Sequence, residues 1–417
     1  MKNANTPTPG RLLMCVLMFF LPACGDEPGR PDNGGCSAPK YTDPGVSYNI
    51  YIENSGSMAG YLGNASDFKT VLMNFVSDIP AYLKEDPKLF LIGEHVCPFQ
   101  SGDGMSFVKS IMGLNPGTLR NLCPSDGSSP LPQIIDSCTT NMERRVSIVV
   151  SDCIFSAKDG NPASAAADLK VFMAKKLYTE GGISTIIIKY NSSFSGLYYA
   201  ESTGGKPVKV KNINRPYYLL MFGKKDNLAA ILQKIAFKHY PGFEACYCLS
   251  ANDSADAAYA AMTYKNKKGV FTYATPSCRM QISKAEMMKG VFQFSFDADL
   301  SRLGYPDDYL LDTKHYSVND GFSVVAINKT TGQRPYNITL RTNQLLPPYS
   351  LQLLIGYDIP SWVAQTGNEN DRNPSDSIQQ HQTFGFKQLI AGISEAYKAS
   401  SPDHAFRLPI RNIEISN

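Results

Sequence analysis

Charge is scarce in this chain. Charged residues make up 18% of its 417 positions and the formal net charge is only +3. Such a chain lacks the basic footprint of a nucleic-acid binder and the high net charge of a disordered one. Tryptophan occurs once, but 23 Tyr and 21 Phe bring the aromatic share to 11%, enough to build a core. No stretch reaches 18 consecutive apolar residues, so no helix long enough to span a bilayer is expected. The five histidines (His95, His239, His315, His381 and His404) show no H-x-x-x-H spacing, which argues against catalytic zinc. A G-x-x-x-x-G-K-S/T phosphate loop and a G-x-S-x-G nucleophile elbow are also missing. The 32 Gly and 27 Pro follow no short period, which excludes collagen-like classes. The length leaves room for two to four domains.

The first apolar run covers residues 12–21, behind Lys2 and Arg11. Ten helical residues span roughly 15 Å, half of a hydrocarbon core, so the run suits a signal sequence and not a membrane span. It leads into Leu21-Pro22-Ala23-Cys24-Gly25, which resembles a bacterial lipobox. That resemblance implies cleavage after residue 23 and a lipid on Cys24, the one membrane attachment expected. Gly25 differs from the Asp that retains lipoproteins in the inner membrane, which favours the outer membrane of a Gram-negative envelope. Residues 24–45 are rich in Gly, Pro and Asp and read as a flexible tether. Eight further cysteines (36, 97, 123, 138, 153, 246, 248 and 278) permit disulfides outside the cytoplasm, with connectivity left open by their spacing.

Residues 46–240 alternate strand and helix signals, which predicts an α/β domain with a doubly wound, mostly parallel sheet. Val46, Tyr48, Ile50 and Ile52 alternate as in a strand. Phe68, Val71, Leu72, Phe75, Val76 and Ile79 follow helical spacing, and Lys69 falls on the expected solvated side of that helix. Further strands are predicted at 89–93, 146–150, 183–190 and 217–222. Helices follow Pro130 and Pro162, and Asp226 is expected to cap a last one. Ligands of such sheets bind outside the carboxyl ends of the strands. There the chain has Glu53-Asn54-Ser55-Gly56-Ser57 after the first strand, Ser128-Ser129-Pro130-Leu131 before a helix, and Ser151-Asp152 after strand 146–150.

This set resembles the von Willebrand factor type A domain and its metal-ion-dependent adhesion site, over about 195 of the 417 residues. The family pattern is D-x-S-x-S, a Thr in a central loop, and an Asp after the fourth strand. Glu53, Ser55 and Ser57 fall on the first motif, Ser129 on the Thr, and Asp152 on the last Asp. The resemblance implies Mg²⁺ or Mn²⁺ held by these five residues, with one position open to an acidic side chain of a partner protein, and no catalysis. Two positions depart from the pattern: Glu53 is one methylene longer than Asp, and Ser129 lacks the stiffness of Thr. Ser and Gly also suit a helix-capping turn.

The enzyme alternative is a GDSL-type serine hydrolase using Ser55. Its His base would come from Asp312-Thr313-Lys314-His315, some 260 residues on. Residues 241–417 lose the helical pattern. Strands at 269–274, 290–296, 321–327, 336–342 and 351–357 predict a β-sandwich, closed by a helix carrying Phe384, Leu389, Ile390, Ile393 and Tyr397. Trp362 is read as a core anchor. Asp253-Ser254-Ala255 and Asp376-Ser377-Ile378 resemble O-glycosylation sequons of Bacteroidota.

The leader makes a direct prediction. Cys24→Ala blocks acylation and releases the protein from the membrane fraction, checked by fractionation and by the mass of the mature N-terminal peptide. A variant that stays membrane-bound, with an unacylated native N-terminus, contradicts it.

Overall fold

The residues Ser-Tyr-Asn-Ile-Tyr-Ile-Glu form β1 (Ser47–Glu53), a strand buried along nearly its whole length. Buried strands of this kind belong in the middle of a sheet covered on both faces. The computed structural model describes residues 45–63, 66–99, 104–123, 131–155, 161–250, 259–274, 280–300, 307–332, 334–344, 346, 348–356, 358–400 and 407–416. By its contacts the chain divides into Met1–Gly35 and Cys36–Asn417, and every described residue lies in the second unit. Cys24, Cys36, Cys278, Ser129, Pro130 and the 253–255 sequon fall outside the described residues.

Ser66 caps α1 (Asp67–Asp78), its hydroxyl accepting the Lys69 N–H at 3.3 Å. β2 (Lys88–Ile92) runs parallel to β1, and β3 (Val96–Pro98) turns back antiparallel along β2. Short helices α2 (Gly104–Ser110), α3 (Pro116–Leu122) and α4 (Leu131–Cys138) precede β4 (Arg145–Ser151), parallel to the other edge of β1. α5 (Pro162–Thr179) starts at the Asn161 cap with Pro162 in its first turn. The chain then makes a long hairpin, β5 (Ile183–Ala200) and β6 (Lys206–Lys224), followed by α6 (Lys225–Lys234) and β7 (Phe243–Ser250). The seven strands lie in the order β3-β2-β1-β4-β6-β5-β7.

The sheet is mixed. Its pairings are parallel around β1 and antiparallel from β6 onward, because a hairpin, and no helical crossover, joins β5 to β6. Asp226 lies in the first turn of α6 but is not its cap; Lys224 holds that position with no side-chain bond. Lys69 is also not where the pattern put it. It is 2% exposed, its Nζ donates to the Met112 carbonyl at 3.0 Å, and burial lowers its pKa. The segment after α2 covers this face of α1, so the side chain ends on a carbonyl.

Two further sheets follow. β8 (Tyr259–Lys268), β9 (Val270–Ala274), β10 (Met280–Glu286) and β11 (Phe292–Asp299) lead through α7 (Asp307–Leu311) to β12 (Tyr316–Val318). Next come β13 (Ser323–Lys329), β14 (Tyr336–Thr342) and β15 (Tyr349–Gly356), then α8 (Ser361–Thr366). The two-residue strands β16 (Gly367–Asn368) and β17 (Thr383–Phe384) precede α9 (Phe386–Ala399) and β18 (Arg407–Ile415). One sheet runs β12-β15-β18-β10-β9 and the other β13-β14-β11-β8. Phe271, Phe292, Phe294 and Phe322 form a ring cluster that links them.

The closing helix α9 packs on the seven-stranded sheet. Tyr397 hydrogen-bonds Thr185 at 2.8 Å and the Ile183 carbonyl at 2.9 Å, and Phe386 stacks on Tyr218 with centroids 4.2 Å apart. Trp362 anchors beside it, 5.9 Å from the Phe386 ring. One sheet face therefore carries α4, α5 and α9, and the other carries α1, α2, α3 and α6. Among the described residues no helix is long and apolar enough to cross a membrane.

Gly392 sets how closely α9 approaches α5: a Cβ there comes within 2.7 Å of the Ala166 carbonyl oxygen. Gly→Ala inside an exposed helix stabilises by up to about 1 kcal/mol. Here overpacking reverses the sign, and Gly392→Ala costs about 1–3 kcal/mol in denaturant unfolding. A rise in stability would show that the two helices do not meet this tightly.

Candidate functional site

The site forms where β1 and β4 end side by side. The parallel register pairs Ile52 with Val150, so Glu53 and Asp152 emerge from neighbouring strands at the same sheet edge. Both are buried, at 4% and 2% exposure. After Glu53 the chain turns through Asn54, Ser55 and Gly56 into a 3₁₀ turn, Ser57–Leu62. The turn brings the Ser55 and Ser57 hydroxyls within 2.9 Å of each other, and Ser55 also accepts the Met58 N–H at 3.4 Å. The Ser57 hydroxyl favours the charged form of Asp152.

Burial raises the pKa of Asp152. The Ser57 hydroxyl, the positive charge of Arg215 and the Ile154 N–H oppose the rise. The next residue, Cys153, holds φ at +54°, a left-handed backbone that few non-glycine residues adopt. The Ser151 hydroxyl accepts its N–H at 2.7 Å and stabilises this turn. Burial pushes the Cys153 thiol well above its usual range; the Ser151 hydrogen bond opposes this, and the charges of Glu53 and Asp152 add to it. An unusual backbone at a loop end that also carries buried charge is typical of functional sites.

Asn54 fastens the loop from behind. Its side-chain amide donates to the Cys123 carbonyl at 2.7 Å, and Cys123 is disulfide-bonded to Cys97. The front is covered by the outer half of the β5–β6 hairpin, which runs past the sheet edge. The ring of Phe194 lies against Gly60, where a Cβ would overlap it, and Tyr199 lies against Gly56. Arg215 sits in the same layer at 1% exposure. Its guanidinium is 4.2 Å from the Tyr198 ring centre and 5.9 Å from that of Phe194, and it donates to the Gln382 carbonyl at 3.1 Å. Asp371 secures the hairpin tip. It accepts from the Tyr198 hydroxyl at 2.7 Å, the Glu201 N–H at 2.9 Å, and both the N–H (3.0 Å) and hydroxyl (2.6 Å) of Ser202.

Four of the five expected ligand residues, Glu53, Ser55, Ser57 and Asp152, thus share one sheet edge. Ser129 lies outside the described residues. Arg215, Tyr198 and Asp371 were not anticipated. The one sequence signal for them is the alternation of Val208, Val210 and Ile213 with lysines and asparagines, which marks a two-faced hairpin strand.

The donor set is all oxygen, two carboxylates and two hydroxyls, the chemistry that hard divalent cations take. In that respect the residues fit Mg²⁺ or Mn²⁺. Among the described residues no three His, Cys, Asp or Glu side chains cluster in ligating geometry, so such an ion depends on the serine hydroxyls. His315 lies between α7 and β12. It stacks on Tyr309 and is 4.0 Å from Asp312 and 3.6 Å from Asp358. The hydroxyl contacts of Ser55 are instead Ser57 and the Met58 N–H.

Compared with protein-family models, curated proteins and solved structures, the chain matches none.

The disulfide closes a 26-residue separation in sequence, a loop whose cross-link contributes about 3 kcal/mol. Cys97→Ala/Cys123→Ala therefore lowers the urea midpoint by that stability, and it frees the Asn54 loop, read as faster amide exchange at residues 54–58. Unchanged exchange there would separate the disulfide from the site.

Proposed function

We propose that the chain is a lipid-anchored cell-envelope protein that binds a partner protein through a von Willebrand factor type A-like site. The carrying observation is that Glu53, Ser55, Ser57 and Asp152 converge at the carboxyl ends of β1 and β4, with the Ser55 and Ser57 hydroxyls 2.9 Å apart. On this reading those four residues, with Ser129, hold Mg²⁺ or Mn²⁺. The ion supplies an open coordination position for an acidic side chain of an envelope or extracellular partner. The seven-stranded sheet with helices on both faces is then a doubly wound, A-like domain, built from residues 46–240 with β7 and α9 added from the rest of the chain. The two further sheets, from the remainder of 241–417, form a sandwich-like module that serves as a spacer or second contact. Cys24 anchors the protein by lipid, to the outer membrane in preference to the inner.

Small hydroxyls on a tight turn approach an ion closely, and buried carboxylates supply the charge. Glu53 is the awkward ligand because of its extra methylene. A ligand that binds the native state stabilises it, by about 2.7 kcal/mol at 100-fold its Kd. Thermal unfolding during Mg²⁺ or Mn²⁺ titration therefore rises in midpoint. Glu53→Asp increases the rise, and Asp152→Ala abolishes it. Flat midpoints in both the native protein and Glu53→Asp contradict the metal reading. Labelling of Ser55 by an active-site serine probe favours the hydrolase instead.

A further inference from the structure

Arg215 has an unusual position for a guanidinium. It is almost fully buried, caged by Tyr198, Phe194 and the Tyr61 side chain, and it holds one carbonyl, that of Gln382. Its Nε is buried with no hydrogen-bond partner among the described residues. Arg215 makes no direct ion pair among those residues; the Tyr198 and Tyr61 hydroxyls act on it most, and Asp152 is the carboxylate that acts with them. The topology places the two together. β4 and β6 are antiparallel with Ser151 opposite Tyr218, so residues 152 and 215 both lie just past this pairing at the same sheet edge. Side chains alternate along strands. Tyr217 and Leu219 pack with Val150 on the sheet face covered by α1, and Arg215 and Asp152 continue that face.

A buried arginine without an adjacent carboxylate is costly unless a nearby field compensates it. The field here is that of the proposed metal pocket. With both carboxylates ionised, Glu53 and Asp152 bring two negative charges, and Arg215 cancels one. We infer that Arg215 is a tethered cation that supplies part of the positive charge a metal ion would bring to Glu53 and Asp152. It thereby holds the metal-free site together and sets how weakly the site takes up Mg²⁺ or Mn²⁺. This inference rests on the metal reading of the same site. It adds that occupancy requires a divalent ion to enter against a fixed positive charge. The cation cannot leave, because Asp371 locks Tyr198 over it and Gly60 lets Phe194 close beneath.

The test uses the full-length protein and Mn²⁺, followed by calorimetric titration and by the paramagnetic resonance signal of the free ion. Arg215→Met removes the charge and keeps an apolar stem against Tyr198. It binds Mn²⁺ at least about tenfold tighter than the native protein, because like charges no longer oppose. Arg215→Lys keeps the charge and keeps the weak binding. Equal affinity in native and Arg215→Met protein, or a gain shared by Arg215→Lys, overturns the inference and leaves the metal reading intact. No Mn²⁺ binding in the native, Glu53→Asp and Arg215→Met proteins removes the metal reading itself. Should Arg215→Met not fold, Asp152→Asn in EDTA decides the matter. Asn still accepts the Ile154 N–H, so a lowered melting temperature in the absence of metal reports the stranded guanidinium. An unchanged or raised melting temperature means Arg215 does not depend on Asp152, and overturns the inference.

Discussion

Two carboxylates and one guanidinium sit out of water at one end of the seven-stranded sheet, and most of the local architecture follows from that. Isolated buried charge is expensive, and removing one partner of a buried set costs about 3–5 kcal/mol. The surrounding structure meets this demand with polar contacts. Ser57 and the Ile154 N–H reach Asp152, Tyr198 and the Gln382 carbonyl reach Arg215, and Ser151 stabilises the left-handed Cys153. The contacts to Arg215 come from distant parts of the chain, whereas Ile154 and Ser151 act within the turn that ends β4.

The constraint explains why distant segments converge. The first loop is fastened from behind by Asn54 and the Cys97–Cys123 disulfide. The hairpin arm covers it from in front, and Asp371 ties the hairpin tip to the segment between α8 and α9. That segment continues through Phe384, whose carbonyl accepts the Phe155 N–H just beyond Asp152. The C-terminal helix α9 then returns to the sheet through Tyr397 and Phe386. A site held from four directions is preorganised for a ligand of fixed geometry. On the proposed reading that ligand is a divalent ion and a partner carboxylate.

Much of the central layer was legible in the sequence because it repeats. β1 and α1 carry a clear period, β4 is a short buried run and α5 opens at Pro162, and the structure places each within a residue or two. The site loop was legible too, since Glu53, Ser55, Ser57 and Asp152 follow strand ends. Elements that depend on remote partners were not. β18 lies between β15 and β10, yet its Pro409 breaks the strand signal; the register shift between Leu353 and Leu354, opposite this stretch, absorbs it. The hairpin arm, residues 191–216, lies between the predicted strands 183–190 and 217–222, and its outer face of lysine and asparagine masks the strand signal. Lys69 and Arg215 are ordinary surface residues by pattern, and only folding reveals the carbonyls and rings that bury them.

The most direct measurement is a Mn²⁺-soaked crystal examined at the manganese absorption edge. The account predicts an anomalous peak enclosed by Glu53, Ser55, Ser57 and Asp152, with Arg215 still under Tyr198. A map with no peak at this edge of the sheet, or with manganese bound only elsewhere, contradicts it.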